Sequence, residues 1–165
     1  MYGQHVDDQQ GTYMGQFGHE EGNLNRVFFH GKGIFQFKNG DIYEGDWSDG
    51  HFDGKGIFTY AKPKSPEDEV CFAQFKGTYK AGRRSEGTLI YANGDIFQGT
   101  FNEEGMKDCG VQKYSNGDEF AGDFKNGARW QGVMKFATGE EYSGEWQNGL
   151  FHGAGKIKYE TGLEY

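Results

Sequence analysis

Aromatic and glycine residues alternate with polar residues along most of the chain. In the segment Tyr43-Glu-Gly-Asp-Trp47, the period-2 pattern places Tyr43, Gly45 and Trp47 on one face of a strand and the two carboxylates on the other. This aromatic-x-Gly-x-aromatic motif occurs six times, and successive copies begin 22 to 32 residues apart. The copies begin at Tyr13, Tyr43, Phe75, Phe97, Phe120 and Tyr142. A period in this range indicates a repeat architecture.

Each copy reads as a β-hairpin, because a second alternating segment, such as Gly56 to Tyr60, follows the motif. Asn-Gly pairs such as Asn39-Gly40 predict type I′ turns, in which both central residues have positive φ. We expect the acidic residues that follow these turns, at 41, 95, 118 and 140, to meet solvent or to bond turn amides. Longer connections are expected to open at Asp49-Gly50, Asn126-Gly127 and Asn148-Gly149.

The chain contains 29 glycines in 165 residues, more than twice the roughly 7% of average usage. A glycine in mid-strand weakens the strand but leaves room for a neighbouring aromatic ring to lie flat on the backbone. We therefore expect the rings to stack as a continuous stripe, each contributing about 2 kcal/mol on burial. The glycines given this structural role are Gly45, Gly77, Gly99, Gly122 and Gly144.

Two insertions interrupt the period, and we expect both to project as loops, near 18–30 and 61–72. The second insertion contains the only two prolines, Pro63 and Pro66. Its Ser65-Pro66 pair offers a phosphate acceptor, although an unmodified turn is the plainer interpretation.

The segment Tyr43 to Tyr60 resembles the MORN repeat (membrane occupation and recognition nexus), and Tyr142 to Tyr159 resembles it equally well. Six units cover residues 13 to 162, and a seventh would begin at Tyr165. In three units Ser85, Asp108 and Trp130 replace the first glycine of the Gly-x-Gly element. The resemblance implies an all-β fold for residues 1–165, an elongated, single-layered, twisted antiparallel sheet of about six stacked hairpins with a groove along one side.

The resemblance also implies a non-catalytic role. Members of this family scaffold cytoskeletal and ciliary assemblies, mark membrane junctions, or accompany kinase or methyltransferase domains. We expect a cytoplasmic scaffold that binds a protein partner in a cytoskeletal, ciliary, flagellar or axonemal assembly. A phospholipid-binding module and the regulatory region of a larger enzyme, such as a lipid kinase or lysine methyltransferase, remain as alternatives.

The net charge of −8 argues against nucleic acid as a partner and disfavours anionic membranes. Cys71 and Cys109 form neither a disulfide framework nor a zinc motif, so we expect reduced thiols in a cytosolic protein. The sequence contains neither a secretory signal pattern nor an apolar run of transmembrane length.

The sequence offers no catalytic or metal-binding motif, and we expect no cofactor. Ser143 occupies an outward strand position without a nucleophile motif around it, and the Gly-Lys-Gly elements lack a following helix. His30, His51 and His152 read as polar loop residues, because stacked repeats keep such loops about 10 Å apart. The carboxylates at 44, 46, 123 and 145 form an acidic strip on the outer face or simply a solvated surface.

The aromatic stripe reads both as core and as a groove for a partner's helix or extended basic segment. Lipid binding would depend on Lys113, Lys135, Lys156 and Lys158, which share one outward face. We expect the strand edge near residue 165 to be covered by more chain, by a second copy or by the partner. The groove residues are predicted to be Tyr43, Trp47, Phe58, Tyr60, Phe97, Phe101, Phe120, Phe124, Tyr142 and Trp146.

Overall fold

The computed structural model describes residues 2–7, 10–20, 23–62 and 72–165. All regular elements in these ranges are β-strands, and no helix there has the length and hydrophobicity of a membrane span. The strands are β1 (Tyr2–Asp7), β2 (Gly11–Glu20), β3 (Asn23–Phe37), β4 (Ile42–Ser48), β5 (His51–Thr59), β6 (Phe72–Lys80), β7 (Arg83–Tyr91), β8 (Ile96–Phe101), β9 (Lys107–Lys113), β10 (Glu119–Lys125), β11 (Ala128–Lys135), β12 (Glu141–Gln147) and β13 (Leu150–Lys158).

The thirteen strands form one open, twisted sheet whose strand order follows chain order. This confirms the predicted fold class, an all-β antiparallel sheet of stacked hairpins. Within this sheet the chain divides into two compact units, residues 1–87 and 88–165. At the end of the second unit, Tyr165 exchanges two backbone hydrogen bonds of 2.9 Å with Ile157.

The two kinds of turn are the reverse of the prediction. In Asn39-Gly40 only the glycine has positive φ, at 94°, and the Gly40 amide donates to the Phe37 carbonyl, as in a three-residue hairpin loop. The pair Asp49-Gly50 has positive φ at both residues, 50° and 80°, and is the whole connection between β4 and β5. Asn126-Gly127 and Asn148-Gly149 have the same geometry. Both pairs contain Asn or Asp before Gly, so sequence alone did not separate them.

Three of the four acidic residues at these loops, Asp41, Asp95 and Asp118, accept hydrogen bonds from backbone amides, as expected, whereas Glu140 accepts one from the Thr138 hydroxyl. Asp41 accepts a hydrogen bond of 2.6 Å from the Ala61 amide, one repeat further along the chain. Asp118 accepts one of 2.9 Å from Ala137 in the same way. These carboxylates therefore connect the loops of successive repeats.

The first insertion is not a projecting loop, so that prediction is wrong. Residues 18–20 and 23–30 extend the β2–β3 hairpin, with Phe17 opposite Phe29 and Gly18 opposite Phe28. Alternating β-forming residues such as Val27 and Phe29 favour a strand over a loop there. Most of the second insertion, with Ser65, Pro66 and Cys71, lies outside the described residues.

A row of glycines crosses each unit at right angles to the strands. In the first unit the register pairs Gly15 with Gly33, Gly33 with Gly45 and Gly45 with Gly56. The row continues to Gly77. The second unit has an equivalent row of Gly99, Gly110, Gly122, Gly132, Gly144 and Gly155. All five glycines predicted to be structural lie in these rows.

The first ring of each motif lies flat on this glycine row, as predicted. A Cβ atom built at Gly45 would meet the Tyr43 hydroxyl at 2.6 Å and the Gly56 Cα at 2.5 Å. One built at Gly132 would meet the Phe120 ring at 2.8 Å. The glycines are therefore required for the close approach of ring and backbone.

Candidate partner-binding face

The ring face, the side of the sheet that carries the first rings of the motifs, has two rows of aromatic residues. The first row is buried: Tyr43 and Phe97 are 0% exposed, and the fifth residue of the motif, such as Phe101, is at most 8% exposed in every copy except the first, where Phe17 is half-buried. Eight of the ten predicted groove residues belong to this row, so they form the core and offer little surface. They are Tyr43, Trp47, Phe97, Phe101, Phe120, Phe124, Tyr142 and Trp146.

The second row lies at the end of each hairpin's second strand, next to the longer loops. Its rings are half-buried or exposed, and Tyr159 is 40% exposed. Tyr60, one of the two remaining predicted groove residues, belongs to it and contacts the other, Phe58, at a centroid distance of 4.6 Å, with the ring planes tilted by 45°. The signal in the sequence is an aromatic residue just before each longer loop. The second row consists of Phe37, Tyr60, Tyr91, Tyr114, Phe136 and Tyr159.

The repeats fall into two classes according to what covers the first ring. In the tyrosine repeats, which begin at Tyr13, Tyr43 and Tyr142, a phenylalanine from the second strand stacks on the tyrosine. The centroid distance is 3.9 Å in each pair, and the ring planes are within 20° of parallel. The stacked partners are Phe29, Phe52 and Phe151.

The tyrosine hydroxyl explains why the first glycine of Gly-x-Gly lies two residues after the stacked phenylalanine. The Tyr43 hydroxyl donates to the Asp46 carbonyl at 2.9 Å, where the β4–β5 register shifts. Opposite this shift, Gly54 has φ of 105°, and the Lys55 amide donates to the Asp46 carboxylate at 2.9 Å. The first glycine of Gly-x-Gly thus allows the bulge that presents a carbonyl to the hydroxyl.

In the cation repeats, which begin at Phe75, Phe97 and Phe120, a basic side chain replaces the stacked phenylalanine. The Arg84 guanidinium carbon lies 5.8 Å from the centroid of the Phe75 ring. The Lys107 ammonium nitrogen lies 5.6 Å from the Phe97 ring centroid. Arg129 lies 6.0 Å from Phe120, at the edge of the usual range for a cation–π contact.

The cation repeats are also the units in which the first glycine of Gly-x-Gly is replaced, by Ser85, Asp108 and Trp130. Phenylalanine has no hydroxyl to satisfy, so the bulge beside the glycine row is not needed. In the cation repeats that begin at Phe97 and Phe120 the register instead shifts one residue later, between Thr100 and Phe101 and between Asp123 and Phe124. The replacement of tyrosine by phenylalanine as the first ring therefore explains why these three units lack the first glycine of Gly-x-Gly.

Lys107 is half-buried among rings. Its ammonium lies 4.7 Å from the Phe124 centroid and 5.7 Å from the Tyr91 centroid, and it donates to the Gln112 side-chain oxygen at 3.0 Å. Burial lowers the pKa of Lys107 to about 8, and the nearby Arg129 contributes to this. Lys107 forms no ion pair with a carboxylate of the described residues, and the charge of Asp95 only partly opposes the lowering of its pKa.

Arg129 occupies the equivalent position one repeat further. Its guanidinium carbon lies 4.3 Å from the Trp146 ring centroid, and its nitrogens donate to the Tyr114 hydroxyl at 2.9 Å and the Gly149 carbonyl at 3.1 Å. Burial raises the pKa of Tyr114, and Arg129 partly opposes this. Both cations thus lie beside second-row tyrosines, a feature that the sequence reading missed.

The opposite, outer face of the second unit alternates in charge. Glu119 lies between Lys113 and Lys135 in the register, and Glu141 lies between Lys135 and Lys158. Lys113 and Glu119 form an ion pair of 3.4 Å. The four lysines considered for lipid binding are therefore interleaved with glutamates or, like Lys156, paired with one.

The outer carboxylates are also engaged within the sheet. Lys32 forms an ion pair with Asp46 and, together with the Lys55 amide, lowers the pKa of that carboxyl. Asp123 accepts a hydrogen bond from the exposed Cys109 thiol and raises its pKa. Asp46 and Asp123 therefore do not form a free acidic strip.

The remaining candidate residues occupy strands. His30, His51 and His152 lie in β3, β5 and β13 and not in loops. Ser143 is exposed on the outer face of β12, opposite Val133 and Lys156. The described ranges contain no group of three or more His, Cys, Asp or Glu residues placed to bind a metal.

The family model of the MORN repeat matches four segments of the chain, residues 28–42, 43–62, 75–96 and 142–164. Three of these segments begin at first rings, Tyr43, Phe75 and Tyr142. No curated protein matches the chain. MORN repeats form modules that are generally non-catalytic and that commonly serve in protein or membrane interactions. The chain belongs to the MORN-repeat family.

Proposed function

We propose that this protein is a non-catalytic scaffold that holds a protein partner on the ring face of its sheet. The observation that carries the proposal is the second row of half-buried rings. All regular elements of the described residues belong to one sheet, so no second layer from these ranges covers that row. Partly exposed aromatic surfaces of this kind are typical of protein interfaces.

The cellular setting in this proposal is a cytoskeletal or ciliary assembly in the cytoplasm. Its support is the family resemblance, in which such arrays scaffold assemblies of this type. The net charge of −8 and the interleaved lysines and glutamates of the outer face favour a protein partner over an anionic bilayer.

Site-specific photo-cross-linking in cells tests the proposed face. A photoreactive amino acid is placed at Tyr60 or Phe136 in the second row, and in matched controls at Thr59 or Lys135. Each control residue precedes its test residue in the sequence and is exposed, and the strand alternation directs it to the outer face. We expect partner adducts from positions 60 and 136 and none from positions 59 and 135. Adducts from the outer positions alone would contradict the proposal.

Detergent extraction of the same cells tests the setting. The wild-type chain should remain with the cytoskeletal or axonemal fraction, and a variant with Tyr60→Ser and Phe136→Ser should become soluble. Retention of both proteins, or release of both, would show that the ring face does not determine the location.

A further inference from the structure

Two cations on the ring face of the second unit form no ion pair with a carboxylate of the described residues, although the charge of Asp95 acts on Lys107 and partly opposes the lowering of its pKa by burial. Lys107 bonds the neutral Gln112 side chain, and Arg129 bonds a hydroxyl and a carbonyl. Neither of them belongs to an ion pair with another described residue. Both side chains are half-buried, so their charges have lost part of their hydration.

The rings around these cations replace only part of that hydration. A cation over an aromatic face gains a modest electrostatic attraction, whereas an ionic hydrogen bond to a carboxylate is stronger and more directional. Trp146, whose ring lies beside Arg129, adds a buried polar group that has no hydrogen-bond partner among the described residues. Its indole nitrogen is buried and has no acceptor among the described residues, whereas the Trp47 indole donates to the Gly33 carbonyl at 3.2 Å.

We propose that the ring face of residues 88–165 binds an acidic segment of a partner protein, whose carboxylates bond Lys107 and Arg129 between the rings of Tyr91, Tyr114 and Phe136. This inference rests on the proposed function and adds the chemistry of the partner. It replaces the expectation of a basic segment, which derived from carboxylates on the outer face. A partner on the ring face meets the cations instead.

The strand spacing sets the spacing of the partner's carboxylates. Lys107 lies on β9 and Arg129 on β11, with β10 between them, so the two positions are about 10 Å apart at roughly 4.8 Å per strand. A partner segment in the polyproline II conformation has three residues per turn and advances about 3.1 Å per residue, so side chains three residues apart lie on the same side and about 9 Å apart. The segment should therefore contain Glu-x-x-Glu, or the same pattern with Asp.

A protein segment fits this site better than a lipid headgroup. The cations are half-buried between rings, whereas lipid-binding lysines extend freely from a surface. A bilayer would also bring the negative net charge of the chain close to anionic lipid. A partner chain can insert single carboxylates between the second-row rings without this cost.

NMR titration of the full chain with short capped peptides tests the inference. One peptide has two glutamates three residues apart in a Gly-Ser-Tyr background, and a second has glutamines at both positions. The three tryptophans give three indole N–H signals. We expect the glutamate peptide to shift the Trp146 signal and not the Trp47 signal. The glutamine peptide should bind about tenfold more weakly.

Matched variants locate the site. Lys107→Met and Arg129→Met keep a long side chain over each ring and remove the charge, and each should weaken the glutamate peptide about tenfold. Lys107→Arg should keep the binding. Lys113→Met and Lys135→Met on the outer face should leave it unchanged. The comparison of peptides on the wild-type chain tests the charge preference even if a variant folds poorly.

Three results would overturn the inference. Equal binding of both peptides would show that the site does not distinguish glutamate from glutamine. Loss of binding in the outer-face variants would place the site on the outer face. Binding to phosphatidylserine vesicles that requires Lys107 and Arg129, without binding of the glutamate peptide, would assign the site to a membrane. Because photo-cross-linking at Tyr60 and Phe136 does not depend on the partner's charge, its success would separate failure of this inference from failure of the proposed function.

Discussion

The tyrosine repeats and the cation repeats cover the same glycine row in different ways. In the tyrosine repeats a stacked phenylalanine and a buried hydroxyl bond complete the packing, as for Tyr43 with Phe52. In the cation repeats Lys107 or Arg129 lies over a phenylalanine without a hydroxyl and places a half-buried charge there. The comparison teaches that the glycine row and the first rings determine the fold. The side chain that covers the first ring can differ between repeats without changing the fold, so this position can contribute to binding.

The difference has an energetic consequence. A stacked phenylalanine contributes burial and ring stacking without desolvating a charge, whereas a half-buried cation loses hydration that the rings only partly replace. We therefore expect the tyrosine repeats to be optimised for stability and the cation repeats to tolerate change above the ring. The following predictions test this contrast.

The largest effect should come from the glycine row and should be equal in both classes. An added Cβ at Gly122 would overlap the Gln131 carbonyl, and one at Gly144 would meet the Gly155 Cα at 2.6 Å. We expect Gly122→Val and Gly144→Val to reduce the free energy of unfolding by about 3 kcal/mol or more. The measurement is urea denaturation followed by circular dichroism.

Neighbouring residues on the outer face provide the controls for the glycine variants. Ala121→Val precedes Gly122 and Ser143→Val precedes Gly144, and both side chains are exposed. Each control should change stability by less than about 0.5 kcal/mol. Losses below that value at both glycines would refute the packing of rings on the glycine row.

Exchanging the side chain above the ring should separate the two classes. Phe52→Arg removes the ring that stacks on Tyr43 and places a charge among rings, so we expect a loss of about 2 kcal/mol. Arg129→Phe removes a half-buried charge and adds a ring over Phe120, so stability should stay within about 0.5 kcal/mol or rise. Thermal and urea unfolding measure both. Equal losses in the two variants would remove the energetic contrast between the classes.

The buried hydroxyl of the tyrosine repeats should contribute a smaller amount. Tyr43→Phe leaves the Asp46 carbonyl without this donor, and we expect a loss of about 1 kcal/mol. Tyr159→Phe is the control, because Tyr159 is 40% exposed and water can satisfy its hydroxyl. If the two substitutions have the same effect, the hydroxyl does not distinguish the classes.

The sequence was sufficient to predict the strands, the glycine row and the rings that lie on it. Those features repeat with a fixed period, and their physical basis is local alternation. The pattern predicted the stripe both as core and as groove and did not show that Tyr43 and Phe97 are fully covered, because their covering depends on a residue nine or ten positions later, Phe52 or Lys107. A lysine there reads as a solvated residue until its neighbours in space are known.

The turns and the first insertion were mispredicted for a related reason. Asn39-Gly40 and Asp49-Gly50 have nearly the same local chemistry, and the hairpin in which each lies decides its type. Residues 23–30 interrupt the period, and an interruption of the period predicts a loop. Their alternating apolar residues instead pair with β2, and Phe29 from this segment covers Tyr13.

The smallest expected effect is a dependence of stability on pH that belongs to the cation repeats. The pKa of Lys107 falls from the ordinary value of 10.5 to about 8 in the folded chain. Between these pH values the unfolded chain holds a proton that the folded chain has released, so the free energy of unfolding rises with pH. Below pH 8 both states are protonated, and the folded chain bears the full cost of the half-buried charge.

Tyrosine ionisation limits the useful pH range. Burial raises the pKa of Tyr43 and Tyr79, so the unfolded chain loses their protons first and stability falls above about pH 10. Urea denaturation should therefore be compared at pH 7.5 and 9.5. The wild-type chain should gain on the order of 1 kcal/mol relative to Lys107→Met, a figure reduced for partial exposure. Lys113→Met, an outer-face control, should follow the wild type. If Lys107→Met also follows the wild type, the ammonium group is hydrated in the folded chain and the cation repeats bear no such cost.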